Sequence, residues 1–155
     1  MELPLTSIET WKVLGFDWVK LIGVLDGRSC LICACLDGTV VKVAEANRLA
    51  KTHNDCRCCL VGCDEDGDIP GLRPFVMHHK PVKNIPKDQR DGRIGQVDAN
   101  TMFVNWFDKC HPEFQLEYLD EFRFNLYKNH GYKLTDFVDM ENLRILENHE
   151  IKKAP

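Results

Sequence analysis

The chain has 155 residues, a length that fits one ordinary domain or two small ones. Apolar residues make up 44% of it and charged residues 28%, a globular composition that excludes the disordered and collagen-like classes. With 20 basic and 24 acidic residues the net charge is −4, so we do not expect a nucleic-acid partner, although a local basic patch is not excluded.

Neither a membrane partner nor export is expected. The longest apolar run, residues 18–25, contains Lys20 and is too short to cross a bilayer. The first residues lack the basic segment and apolar core of a signal peptide. We therefore expect the protein in the cytosol of the cell that makes it.

Short elements separated by tight turns are predicted for residues 1–63. Turns at Asp26-Gly27 and Asp37-Gly38 flank a short helix at 30–36, for which Ser29 is the expected N-cap. The other elements predicted here are a helix or turn at 11–17, strands at 18–25, 39–43 and 57–61, and a helix at 44–51. This pattern predicts a small, irregular α/β module.

Residues 64–95 contain four prolines, several glycines and many charges without hydrophobic periodicity, so they are predicted to be a loop linker. His78 and His79 lie in this stretch, and no constellation of partner residues accompanies them. We therefore interpret them as a surface loop pair.

Residues 96–155 are predicted to form a helical C-terminal segment that packs on the first module, which makes the fold class α+β. Asp98 or Asn100 is the expected cap of a helix that ends near residue 109. Pro112 suits the first turn of the next helix, which ends near residue 129, before Gly131. Aromatic side chains recur in both helices at three- and four-residue steps, as is typical of a core-facing surface.

The cysteines carry the chemical signal. Seven of the eight fall within residues 30–63, in a chain that shows no sign of export and is long enough to build a core without disulfides. In a reducing compartment, thiols clustered at short spacings favour a metal site over disulfides or unligated buried cysteines, the two alternatives that the spacing leaves open.

Two pairs of ligands can be recognised from the spacing. Cys30 and Cys33 are separated by two residues, and after nineteen more come His53 and Cys56, again two residues apart. Three sulfurs and one imidazole nitrogen suit tetrahedral Zn²⁺, and four protein ligands leave no position for water. We therefore predict a structural zinc site and no enzymatic activity, with Cys58 as a possible substitute ligand. The expected packed thiols are Cys35, Cys59 and Cys63.

Four stretches of the sequence form a recognisable set of motifs. Two contain the cysteines: Asp26-Gly-Arg-Ser-Cys30-x2-Cys33-x2-Leu-Asp-Gly38 and His53-Asn-Asp-Cys56-Arg-Cys58. Two lie further along the chain: Gly95-Gln-Val-Asp-Ala-Asn-Thr-Met-Phe-Val-Asn-Trp-Phe107 and Gly131-Tyr-Lys-Leu-Thr-Asp-Phe-Val-Asp139. Together they resemble the Mu-F-like head morphogenesis family of tailed phages, the first two its cysteine motifs and the last two its C-terminal part. Leu119-Asp120 departs from the family, which usually has Leu-Gly at this place.

The resemblance implies a minor capsid protein that acts in head morphogenesis, in the host cytoplasm during assembly and then in the virion. Its expected partners are the portal or other head proteins, and an oligomer is compatible with this role. Cys30, Cys33, His53 and Cys56 take the metal-ligand positions, while Asp26 and Arg28 are expected to form a buried ion pair or lock a turn. The alternative is a stand-alone phage-encoded interaction module that inhibits a host enzyme or defence system.

Overall fold

The computed structural model describes residues 5–49 and 57–151 and has the predicted α+β fold. The helices are α1 (Leu5–Val13), α2 (Leu31–Leu36), α3 (Phe103–Asp108) and α4 (Pro112–Asn129). The strands are β1 (Trp18–Ile22), β2 (Leu25–Asp26), β3 (Val40–Lys42), β4 (Cys59–Cys63), β5 (Leu72–Val76), β6 (Ile94–Asp98), β7 (Val138–Asp139) and β8 (Arg144–Ile145). Short 3-10 helices lie at Val43–Leu49, Val82–Asn84, Lys87–Gln89, Leu134–Phe137 and Asn148–Glu150.

The first sheet has the strand order β3-β1-β4 and is antiparallel. Its central strand, β1, carries Val19 and Leu21, which are fully buried because branched apolar side chains pack well in the middle of a sheet. The register pairs Ile22 with Cys59. The beginning of β4 therefore lies beside the end of β1, close to the turn that leads into α2.

The second sheet has the order β2-β5-β6, and the sequence predicts none of its strands except Leu25 of β2. The strand predicted at 18–25 divides at Gly23 because β1 and β2 belong to different sheets. β5 and the beginning of β6 lie in the stretch predicted to be a loop linker, 64–95, so this part of the chain belongs to the fold. Pro74 argues against a strand at β5, because proline has no N–H to donate to a neighbouring strand. In the structure Pro74 pairs only with Gln96 of β6, because β2 has two residues and does not extend to this position.

A buried aspartate joins both sheets to α3. The Asp37 carboxylate accepts hydrogen bonds from the Gly23 N–H at 2.7 Å and from the Phe103 N–H at 2.7 Å, and it pairs with Arg73 of β5. The Phe103 N–H is one of the donors that a helix leaves unsatisfied at its N-terminus. Neither Asp98 nor Asn100 caps α3, because Asp37 satisfies this N–H from 66 residues away.

Aromatic side chains of the last two helices form much of the core, as their spacing predicts. Phe103, Phe107 and Phe114 are at most 1% exposed, and the ring centroids of Phe103 and Phe107 lie 6.0 Å apart. Pro112 occupies the first turn of α4, and Gly131 follows this helix with a φ of +71°, where glycine is favoured.

α4 is interrupted at Asp120, whose φ of 70° and ψ of 173° are not helical. This backbone region is normally reserved for glycine. The Asp120 side chain compensates in part, because its carboxylate accepts hydrogen bonds from the Arg123 N–H at 3.1 Å and from the Arg123 guanidinium at 2.9 Å. The second half of α4 is thereby capped.

Other boundaries differ from the prediction by a few residues. α1 begins at Leu5 instead of near residue 11, and β4 begins two residues later than predicted. The predicted helix at 44–51 is a 3-10 helix, Val43–Leu49, as far as the described residues extend. No helix in the described part of the chain combines the length and the apolar character needed to span a bilayer.

Candidate metal site

The turn before α2 is held rigidly by its own aspartate. The Asp26 carboxylate, which is 5% exposed, accepts hydrogen bonds from the N–H groups of Arg28 at 2.9 Å and Ser29 at 3.0 Å. Gly27 is required here, because a Cβ at this position would lie 2.6 Å from Nδ1 of His79. The turn lock expected of Asp26 is confirmed, and the Arg28 guanidinium lies only at its edge, 3.7 Å from the carboxylate.

Cys30 and Cys33, the first predicted ligand pair (the first clip), lie at the beginning of α2. Cys30, and not Ser29, is the N-cap of α2, and its Sγ accepts a hydrogen bond from the Cys33 N–H at 3.4 Å. A backbone N–H directed at sulfur stabilises the thiolate form that binds metals. The Ser29 hydroxyl hydrogen-bonds to the Val24 carbonyl instead.

Cys58 lies near this ligand pair, on the other side of Gly23. It is 8% exposed and directly precedes β4. A Cβ placed on Gly23 would lie 3.6 Å from the Cys58 Sγ and 3.7 Å from the Cys33 carbonyl oxygen, so the two cysteines flank this glycine. The pairing of β1 with β4 thus brings the described part of the second cysteine segment (57–59) beside the first cysteine segment (30–33).

An ion pair connects the two cysteine segments. The Arg57 guanidinium donates two hydrogen bonds to the Asp26 carboxylate, at 2.7 and 2.8 Å. Burial alone would raise the pKa of Asp26, but Arg57, followed by Arg28, outweighs this effect and lowers the pKa below its usual value. The hydrogen bond to Asp26 is also the main reason why the pKa of Arg57 is raised, and the nearby sulfurs of Cys33 and Cys58 add to it.

His53 and Cys56, the predicted second pair of ligands, lie outside the described residues. Cys56 is nevertheless the direct neighbour of Arg57, whose side chain reaches the turn before Cys30. Cys30, Cys33 and Cys58 do not bring their three sulfur atoms within 4.8 Å of one another. These three residues alone therefore do not form a compact group of ligands, and His53 and Cys56 stay the predicted second pair.

Glu147, His149 and Glu150 are the one group of three potential ligands in residues 5–49 and 57–151 whose donor atoms lie within 4.8 Å of one another. Arg144 already holds the Glu150 carboxylate through two hydrogen bonds, and this contact lowers the Glu150 pKa to about 2. The arrangement is explained by this exposed ion pair, without a metal ion.

The other cysteines are mainly packed thiols. Burial raises the pKa of Cys35 and of Cys110 to about 12, and it also raises the pKa of Cys63, which favours protonated and unreactive sulfur. Cys59 is exposed, so the prediction that it is packed is wrong. Cys59 is the first residue of β4, and the next residue, Leu60, is buried.

His78 and His79 both contact the turn before α2 at Gly27. The His79 ring stacks on Phe114 at a centroid distance of 4.9 Å, and its Nδ1 lies 3.3 Å from the Gly27 carbonyl oxygen. His78 contributes backbone, since its carbonyl accepts a hydrogen bond from the Gly27 N–H at 3.0 Å. Burial, followed by the positive charge of Arg93, lowers the pKa of His78.

Tyr118 of α4 is a further residue at this site, and the sequence alone did not reveal it. Its hydroxyl donates a hydrogen bond of 2.7 Å to the carbonyl of Ser29, directly before Cys30. In the sequence it is one member of an aromatic stripe, which explains burial but not this polar contact.

Comparison with known proteins gives no match: no family model, no curated protein and no solved structure is significantly similar to the chain. The likeness to the head morphogenesis family therefore rests on the motifs quoted above and stays a prediction.

Proposed function

We propose that the chain is a minor head (capsid morphogenesis) protein of a phage or prophage and carries a structural zinc site. Cys30, Cys33, His53 and Cys56 are the proposed ligands. In this proposal the protein binds the portal or other head components and catalyses no reaction. It acts in the host cytoplasm during assembly and afterwards in the virion.

The ion pair between Asp26 and Arg57 is the observation that carries the zinc proposal. It fixes the residue that follows Cys56 against the turn that precedes Cys30, although the two lie 31 residues apart in the sequence. In this proposal, the contact of Arg57 with Asp26 holds the second ligand pair near the first. This arrangement suits a structural site, in which the protein supplies all four ligands.

The donor chemistry of the first clip fits zinc. The Cys33 N–H points at the Cys30 sulfur, and the Arg57 guanidinium lies close enough to the Cys33 and Cys58 sulfurs to raise its own pKa. Both features stabilise negative charge on sulfur, which zinc binding requires. When bound, the ion would cross-link the loop between the two clips, so that its binding energy adds to the folding energy.

The role in the head is supported by the motif resemblance, which extends from the cysteine clips into the helical segment. Residues of both parts pack into one hydrophobic core, Leu31 and Leu36 of α2 together with Phe103 and Leu134. A zinc-braced protein of this kind suits an assembly component, since its surface can bind partners while the site keeps the fold in place.

Association with phage heads tests this function. Tagged protein should co-sediment with purified heads of the phage or prophage that encodes it. The double variant Cys30→Ser/Cys33→Ser should lose this association together with its zinc, whereas Cys59→Ser, which changes an exposed thiol, should keep both. Absence from heads combined with stoichiometric capture of one host enzyme would contradict the proposal and support the inhibitor alternative.

A further inference from the structure

We infer that Tyr118 is a positioning residue for the metal site, holding the first ligand pair in place through the backbone of Ser29. The inference rests on the proposed zinc site and adds to it a specific connection from the helical segment. Because Tyr118 lies 89 residues after Ser29, ligand geometry would depend on how α4 is docked against α2.

The hydrogen bond fixes a particular peptide group. The Tyr118 hydroxyl lies 2.7 Å from the Ser29 carbonyl oxygen, and that carbonyl belongs to the same planar peptide unit as the Cys30 nitrogen. Holding the carbonyl therefore restricts the backbone rotation that sets the direction of the Cys30 side chain. Cys30 is both the N-cap of α2 and the first proposed ligand.

The tyrosine ring is itself fixed by aromatic packing. Its centroid lies 5.7 Å from that of Phe103, 5.2 Å from that of Phe107 and 6.3 Å from that of Phe114. Aromatic rings in such clusters have little freedom to move, so the hydroxyl oxygen stays in place. The core therefore anchors the turn at a defined distance.

Tyr118 keeps its proton and remains a donor. Burial, followed by the nearby sulfurs of Cys30, Cys35 and Cys33, raises its pKa well above the ordinary value. The hydrogen bond to Ser29 places the hydroxyl at the N-terminal end of α2, next to the proposed ligand pair.

The same turn is held from two other directions. Arg57 binds Asp26, and the His79 ring closes over Gly27. Tyr118 completes this support at Ser29, next to the ligand. Groups that orient ligands without touching the ion commonly change metal affinity roughly 10–100-fold when they are removed.

A pair of tyrosine variants tests the inference. Tyr118→Phe keeps the packed ring and removes only the hydroxyl, while Tyr127→Phe is the matched control. Tyr127 lies on the same helix and also makes one hydrogen bond, 2.8 Å to Asp108, which is not part of the turn before Cys30. Zinc affinity should be measured by chelator competition, and the ligand field by the absorption spectrum of the Co²⁺-substituted protein.

We expect Tyr118→Phe to bind zinc roughly 10–100-fold more weakly and to shift the Co²⁺ spectrum, since outer support of a ligand is lost. Tyr127→Phe should match the wild type in both. Melting temperatures with and without zinc separate an effect on zinc binding from an effect on the fold. Zinc should raise the melting temperature of Tyr118→Phe by less than that of the wild type and of Tyr127→Phe.

The outcomes distinguish this inference from the proposed function. A wild-type protein that binds zinc, with a Tyr118→Phe variant of equal affinity and unchanged Co²⁺ spectrum, overturns the role of Tyr118 alone. A wild-type protein that binds no zinc overturns the proposed site as well. If Tyr118→Phe does not fold, 4-fluorophenylalanine at positions 118 and 127 fills the hydroxyl volume without donating a hydrogen bond, and the same comparison decides.

Discussion

Two buried aspartates that bind arginines have different tasks in this molecule. Asp37 and Arg73 form a pair whose side chains are 0% and 8% exposed, in the middle of the fold. Asp26 and Arg57 form a pair at the candidate metal site, where the arginine side chain is 33% exposed. The first pair joins two sheets and a helix, whereas the second joins the two cysteine segments.

The difference allows the stability of the fold and the proposed metal binding to be tested separately. Arg73 also donates to the carbonyls of Thr101 and Gly23, at 2.8 Å each, so the central pair is satisfied by the protein without any ion. The Asp26–Arg57 pair instead borders the segment that contains His53 and Cys56. We therefore expect the central pair to control stability and the site pair to control metal binding.

The largest effect is expected at the central pair. Asp37→Ala leaves the Arg73 guanidinium buried without its counter-ion and removes the acceptor for the Phe103 N–H. The free energy of unfolding should fall by about 3–5 kcal/mol, because a buried charge that loses its partner is strongly destabilising. Urea denaturation in the presence of a chelator measures this loss. The exposed control Asp91→Ala should change stability by less than about 0.5 kcal/mol; a similar result for Asp37→Ala would contradict the assignment.

A smaller effect is expected at the site pair. Asp26→Asn removes a charged acceptor of two hydrogen bonds from Arg57 and should cost about 1.5–3 kcal/mol in the metal-free protein. Because the folded protein lowers the pKa of Asp26 from 3.8, this stabilisation is complete above that value and is lost as the pH falls through the folded pKa.

Urea denaturation of the wild type and of Asp26→Asn, at neutral pH and near pH 3 in chelator, tests this pH dependence. The stability difference should be full at neutral pH and should shrink in acid. Arg28→Ala, which removes only the distant guanidinium, serves as the control. A difference that is independent of pH would show that the Asp26 charge does not stabilise the fold.

The smallest effect is expected at a pair nearer the surface, Asp120 with Arg123, whose side chains are 53% and 18% exposed. Asp120→Gly keeps the backbone conformation but removes its energetic cost, which is about 1–3 kcal/mol for a residue other than glycine. The variant also loses the aspartate cap, and replacing such a cap by glycine costs only about a few tenths of a kcal/mol. A net gain of about 1 kcal/mol in unfolding free energy is expected from these two terms. Asp120→Ala keeps the strain, loses the cap and should destabilise; equal stabilities of the two variants would refute the strain at this position.

Local signals in the sequence predicted the parts of the fold that depend on neighbouring residues. Asp26-Gly27 forms the predicted turn, Pro112 begins α4, and the aromatic stripes face the core. Cys30 and Cys33 lie at the beginning of the predicted short helix, where the Cys33 N–H donates to the Cys30 sulfur. In each case the residues that decide the structure lie within a few positions of one another.

Contacts between residues far apart in the sequence explain most of the structural features that the sequence did not predict. Asp37 caps α3 from another part of the chain, so the nearer Asp98 and Asn100 were the wrong candidates. β5 was hidden because Pro74 argues against a strand unless its neighbours in the sheet are known.

Tyr118 was missed for the same reason, since an aromatic stripe does not show which backbone group the hydroxyl meets. The kink at Asp120 likewise has no local sign except the departure from the resembled motif.

Zinc content tests the central claim most directly. Wild-type protein purified without added metal should contain one zinc ion per chain by mass spectrometry, and chelation should lower its melting temperature. Cys30→Ser/Cys56→Ser should contain no zinc and melt lower, while Cys59→Ser should match the wild type. Wild-type protein without zinc, or a double variant with unchanged zinc content and melting temperature, would contradict a metal ion held by these two cysteine segments.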